Sequence, residues 1–206
     1  TDRVEGSDGA QVKARALAAA HPERYAHVDQ YANPANPLAH EKGTGPEILE
    51  QLGGRPLDLF VAGLGTSGTF VGAARFLQHA SPDTRRVAVE PAESLHGIEG
   101  LKHMATAIVP QIFEPERAHR REYVATEDAY AMTRRLAREE GLLAGVSSGR
   151  TGTAAWITIG PWSSSALTKW TVQPCSFTPA ASARACVSRP GDAGSNDGWM
   201  LSIRPT

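Results

Sequence analysis

An α/β fold with a parallel sheet is what this sequence predicts, and three features carry the prediction. An apolar run at 57–62 enters a loop dense in glycine and hydroxyls at 63–69. A helical pattern begins at Phe70. A second apolar run, 86–90, is then closed by Pro91. Strand, helix, strand over 57–90 reads as a βαβ unit, whose strands are expected to be parallel and buried.

The elements follow in chain order. Residues 7–20 read as a helix with Val12, Ala16 and Ala19 on one face and Pro22 as its stop. Two Asn-Pro pairs, Asn33-Pro34 and Asn36-Pro37, predict an extended or turning loop over 31–40. Thr44 and Glu47 fit a capping box for a helix whose apolar face is Ile48, Leu49 and Leu52, and Gly53-Gly54 ends it. The strand at 57–62, a helix over about 68–79 and the strand at 86–90 come next. Residues 91–120 are irregular, and an irregular stretch of that length in a compact domain points to function or disorder. A strand is expected at 122–124. A helix capped by Thr126 follows, with Ala129, Met132, Leu136 and Ala137 buried and Gly141 just past its end. Residues 142–146 read as a short strand leading into a second small-residue loop, Ser147-Ser148-Gly149.

Beyond about residue 156 the composition changes. Glu140 is the last glutamate, and residues 157–206 are rich in Ser, Thr, Pro, Ala, Arg and Trp without clear period. Two readings of this segment are a disordered tail and an out-of-frame reading of GC-rich DNA. Resequencing the gene across codons 150–160 separates them, an uninterrupted frame refuting the second.

Composition excludes several classes. The formal net charge of −1 leaves no general electrostatic case for nucleic acid or an anionic membrane. No apolar run approaches bilayer length, and the amino end is not patterned as a secretory signal, so the expected setting is cytoplasmic. The first residue is Thr, from which processing or a longer parent is expected. Cys175 and Cys186 make neither a disulfide framework nor a metal site. His96 and His103 are separated by Gly97 and Gly100, which argues against a shared helix face and against metal binding. The cluster Arg134-Arg135…Arg138 with Glu139-Glu140 reads as a solvated helix face.

The glycine loop is the centre of the functional argument. Strand, small-residue loop, helix is how α/β proteins hold a phosphate: glycines admit the backbone, and amides at the helix start face the anion. The hydroxyls of Thr66, Ser67 and Thr69 add donors. Gly63-x-Gly65-x-x-Gly68 also satisfies a dinucleotide pattern, with Glu90 placed for a ribose contact. Two things count against that reading. The crowd of hydroxyls suits a terminal phosphate monoester better than a pyrophosphate, and nothing ahead of the unit resembles a dehydrogenase segment.

The neighbouring blocks decide. Tyr31-Ala32-Asn33-Pro34-Ala35-Asn36-Pro37, His40, Thr44-Gly45-Pro46-Glu47-Ile48, the loop through Thr69, Val87-Ala88-Val89-Glu90-Pro91 and Gly141 through Gly149, in this order and spacing, resemble the cysteine synthase and cystathionine β-synthase family. The resemblance runs from about residue 4 to about residue 155. It implies a three-layer, parallel-sheet pyridoxal-phosphate fold of type II, like the tryptophan synthase β chain. Residues 1–28 would be a remnant of a small mobile domain, 29–156 the carboxy-terminal part of the large domain, and 157–206 an atypical tail. It implies pyridoxal 5′-phosphate as cofactor, held by Gly65, Thr66, Ser67, Gly68 and Thr69, with Gly100 in a loop passing by it. Ser67 departs from the family's usual glycine, adding a donor and a Cβ. The implied reaction is β-replacement on an O-activated serine by a sulfur nucleophile, in a homodimer.

Other parts of the family pattern have no match here. The catalytic lysine stands in a Ser-x-Lys-Asp-Arg type segment, and Lys13, Lys42, Lys102 and Lys169 lie in no such context. Each reads as a surface lysine. The asparagine-containing substrate loop and the Ser-Gly-Glu-Arg type segment are also unmatched. No residue is assigned a catalytic role, and the chain alone is expected to be inactive and marginally stable. An interaction fragment that pairs with an intact homologue is the second reading, and a dinucleotide-binding domain the third.

Overall fold

A computed structural model describes residues 1–2 and 5–159. In order the elements are helix α1 (Gly6–Ala20), α2 (Ala35–Ala39), a π-helical turn (His40–Thr44), α3 (Gly45–Leu52), strand β1 (Leu59–Gly63), α4 (Gly68–Ala80), β2 (Arg85–Pro91), a 3-10 turn (Pro115–Arg117), β3 (Arg120–Val124), α5 (Thr126–Glu139) and α6 (Val146–Ile159). The strands form one parallel sheet in the order β1-β2-β3, with Val61 opposite Val87 and Val89 opposite Glu122.

Side-chain alternation makes this sheet the middle of three layers. Phe60, Ala62 and Ala88 point to one face, where Phe70, Val71 and Ala74 of α4 cover them. Leu59, Val61, Val87 and Val89 point to the other, against Ala154 and Ala155 of α6. Successive residues of a strand face opposite sides, so a parallel sheet covered on both faces is apolar at every position. That is why 86–90 reads as an unbroken apolar run apart from its charged ends. α5 packs on the outside of α6, with Met132 and Leu136 against Leu142.

Several expectations are corrected. Residues 31–40 are not a loop throughout, because Pro34 and Pro37 sit at the cap and in the first turns of α2, where a missing amide costs nothing. Thr44 is not a capping residue. The chain is already helical there, and its hydroxyl meets His40 Nδ1 at 2.9 Å. Thr126 caps nothing either, since its Oγ1 accepts the Gly97 amide. Residues 142–145 form no strand, and Ser147, Ser148 and Gly149 are the first turn of α6. The stripe Val12, Ala16, Ala19 is exposed, and α1 buries Gln11 instead. α6 runs through the expected boundary at 156. Beyond Ile159 the expected tail, with Lys169, Cys175 and Cys186, lies outside the described residues.

Candidate functional site

Parallel strands leave their carboxyl ends open as a crevice, and the expected cup lies there, between β1 and α4. Leu64 starts it. Its amide donates to the Val89 carbonyl (2.9 Å), and its carbonyl accepts from the Lys102 amide (2.8 Å). A Cβ at Gly65 would run into the Gly100 carbonyl, and one at Gly68 into the Asn36 side chain. Both positions therefore require glycine for close approach. Gly100 itself has φ +84°, so the passing loop depends on its lack of a side chain.

Ser67 caps α4 at φ +70°, the left-handed region that L-residues avoid, which is the physical reason a glycine suits this position. Its side chain is buried, and Oγ has no partner among the described residues. The Val71 amide makes the first helical bond, to the Ser67 carbonyl (2.9 Å). Ahead of it, the amides of Thr69 and Phe70 point out of the helix end with its positive dipole, while the Gly68 amide donates to Thr66 Oγ1 at 3.4 Å. A buried hydroxyl lacking a partner beside such amides is what a phosphate monoester would satisfy. Leu64 and Phe70, both fully buried, close the apolar side.

The structure adds two residues whose roles the sequence left unassigned, Asn36 and His40, and gives Thr44 a different one. Asn36 Nδ2 donates to Thr66 Oγ1 (3.1 Å) and to the Gln30 carbonyl (2.8 Å). Thr69 Oγ1 lies 3.1 Å from His40 Nε2, and His40 Nδ1 reaches Thr44 Oγ1. The π-turn aligns His40 with Thr44, and wide turns of this kind recur at functional sites. Burial lowers the His40 pKa, so the ring is neutral at neutral pH. The block Asn33 to Thr44 was visible in the sequence. The contact with the cup, about 30 residues away, was not.

The loop over the cup is held from several sides. Gly97 is pinned by Thr126 and by Tyr130, whose hydroxyl donates to its carbonyl (3.2 Å). Glu90, expected to face a ribose in the dinucleotide reading, is buried and accepts the Met104 amide on Oε2 (3.0 Å). It fastens the loop, its other oxygen 3.6 Å from Arg121. His96 and His103 are committed locally, Nδ1 of each meeting the Ile98 amide and Thr106 Oγ1.

Among lysines, Lys13 and Lys42 are exposed as expected, but Lys102 is not a surface residue. It is 5% exposed, paired with Asp8, and sits over the Tyr31 ring at 5.1 Å. Arg150, one turn into α6, is fully buried with none of its three guanidinium nitrogens hydrogen-bonded among the described residues. Burial pushes its pKa down to about 9, against the attraction of Glu90.

Comparison with known proteins matches this geometry to a family. The family described as "Pyridoxal-phosphate dependent enzyme" matches residues 2–159. A cysteine synthase of Aquifex aeolicus (strain VF5) is 45% identical over 159 residues, 77% of this chain and 47% of that protein. Cysteine synthase A of Escherichia coli (strain K12) is 37% identical over 172 aligned positions, 75% of this chain and 52% of that protein. Among solved structures, an O-acetylserine dependent cystathionine beta-synthase from Helicobacter pylori superposes with a TM-score of 0.68 at 37% identity, covering 77% of this chain and 53% of that one. The chain spans about half the length of the curated relatives it matches.

Proposed function

The chain belongs to the pyridoxal-phosphate-dependent enzyme family, on the cysteine synthase side of it, and from that premise we propose that residues 65–69 hold the phosphate of pyridoxal 5′-phosphate. The observation that carries this reading is the buried Ser67 hydroxyl, without a partner among the described residues, beside the first amides of α4. The cofactor, when bound, supplies an electron sink for carbanion chemistry at an amino acid.

What the chain's own residues do follows from donors and acceptors. For the Thr69 hydroxyl to donate to a phosphate oxygen, its Oγ1 accepts the Nε2–H of neutral His40, and His40 Nδ1 accepts the Thr44 hydroxyl. Asn36, with its two amide hydrogens on Gln30 and Thr66, fixes the direction of the Thr66 hydroxyl. Leu64, Phe70 and Met104 keep water from the back of the cup, which strengthens each of these bonds. Gly100 lets the loop pass beside Gly65.

The reaction of the whole protein, on this reading, is β-replacement on an O-activated serine by a sulfur nucleophile, carried out in a homodimer. This chain alone contributes binding and orientation and does not turn over. Lys102, the buried lysine among the described residues, is already committed to Asp8, and Lys13 and Lys42 are in solvent. Titration with pyridoxal 5′-phosphate should raise the melting temperature, and NAD should not. An equal rise with NAD, or none with either, would overturn the assignment. β-Replacement turnover by purified chain would contradict the inactivity.

A further inference from the structure

Helix α1 is attached to the body in an unusual way. Its buried residue is polar Gln11, while Val12 is 57% and Leu17 42% exposed. The attachments recorded for it are polar. Arg15 meets Asp29 (Nε–Oδ2 3.0 Å), and Asp8 grips the loop after Gly100. Asp8 Oδ1 pairs with Lys102 Nζ and accepts Gln11 Nε2 (3.1 Å), and Oδ2 accepts the Ile108 amide at 2.6 Å. One carboxylate thus holds both ends of the 102–108 turn. Lys102 in turn touches the cup, because its amide donates to the Leu64 carbonyl, and two residues before it the Gly100 carbonyl lies against Gly65.

We propose that Asp8 and Lys102 are a positioning pair for the phosphate cup, through which α1 sets how closely Gly100 covers Gly65. The inference rests on the reading of 65–69 as the cofactor-phosphate site. Its mechanical part stands independently: the helix is tied to the 102–108 turn through the Asp8 carboxylate, so its position is transmitted to that turn through Asp8. Lys102 is held from three directions at once, by Asp8, by the Tyr31 ring and by the Leu64 carbonyl. It therefore cannot follow α1 without moving Gly100.

The test uses the full chain. Amide exchange is followed at Leu101 and Lys102 and along α1, and affinities for pyridoxal 5′-phosphate and for pyridoxal are measured in parallel. Asp8→Asn and Lys102→Met should each speed exchange at Leu101 and Lys102 at least tenfold. Each should also lower the ratio of phosphate-ester to pyridoxal affinity at least fivefold, with Lys102→Arg and Asp8→Glu restoring most of both. General destabilisation would weaken the two ligands alike and leave the ratio unchanged. In wild type, saturating pyridoxal 5′-phosphate should slow exchange in α1, the reciprocal of the same coupling. Variants with wild-type exchange in the loop, or an unchanged affinity ratio, would overturn the proposal. Should wild type bind no pyridoxal 5′-phosphate, the cup reading falls, while loop exchange in Asp8→Asn still decides whether α1 positions the loop.

Discussion

Ser67 carries two opposing effects in one side chain. Its backbone sits at φ +70°, which costs an L-residue about 1 kcal/mol, and its hydroxyl is buried without a partner among the described residues. Ser67→Gly is therefore expected to raise the unliganded stability by about 1 kcal/mol in urea unfolding and to weaken pyridoxal 5′-phosphate binding several-fold. Asp8 makes a pH-dependent contribution. Burial acts to raise its pKa, but hydrogen bonds from Lys102 and the Ile108 amide and the Lys102 charge outweigh this and hold it below the ordinary value. A carboxyl lowered on folding stabilises the protein above its unfolded pKa, near 4, and that contribution is lost as pH falls through the folded value. Amide protection in α1 should thus be level from neutral pH to about pH 5 and collapse below about 4, measured by exchange. At this scale the sequence was informative about glycines and hydroxyls and silent about partners. The roles of Asn36, His40 and Lys102 depend on contacts 29 to 94 residues away in the chain, which periodicity does not encode.

Among the elements, α4 and its neighbours are joined through missing side chains. A Cβ at Gly72 would meet the Pro37 carbonyl and the His40 side chain, so α2 and the π-turn lie directly on α4. Gly72→Ala should destabilise by roughly 2–3 kcal/mol and reduce cofactor affinity together, because the overpacked contact carries His40. Denaturant midpoints and ligand titration read the two effects. α3, β1, α4, β2 and α5 were legible because each has an apolar run or period with clear punctuation, down to Gly53 after α3 and Gly141 after α5 at φ +58° and +69°. The misreadings share a cause. Thr44, Thr126 and Ser147 carry the local signature of caps or loops, and in each case a tertiary partner or helix continuation overrode it. α1 is legible too, and the face carrying Val12, Ala16 and Ala19 is exposed.

For the whole molecule, the three layers are complete where α4 and α6 cover the sheet, and the outer edges of β1 and β3 carry no further strand among the described residues. Arg150 lies inside this layered core with no hydrogen-bond partner among the described residues, Glu90 attracting it only through space. Replacing a buried charge that lacks hydrogen bonds among the described residues by an apolar side chain of similar length is favourable, so Arg150→Met should raise stability by about 1–3 kcal/mol, seen as a higher urea midpoint at unchanged slope. Nothing in the sequence flagged this residue, because burial of a single arginine is a property of the assembled layers.

The π-turn at 40–44 also fixes which way α2 faces. A π-turn is an α-helix that has accepted one extra residue, and each residue advances a helix by about 100°. Deleting Gly43 would restore an ordinary helix and swing α2 around its axis by that angle, carrying Asn36 and His40 off Thr66 and Thr69 in a single event. The single extra residue thus sets, through the facing of one short helix, the hydroxyl directions of Thr66 and Thr69 together.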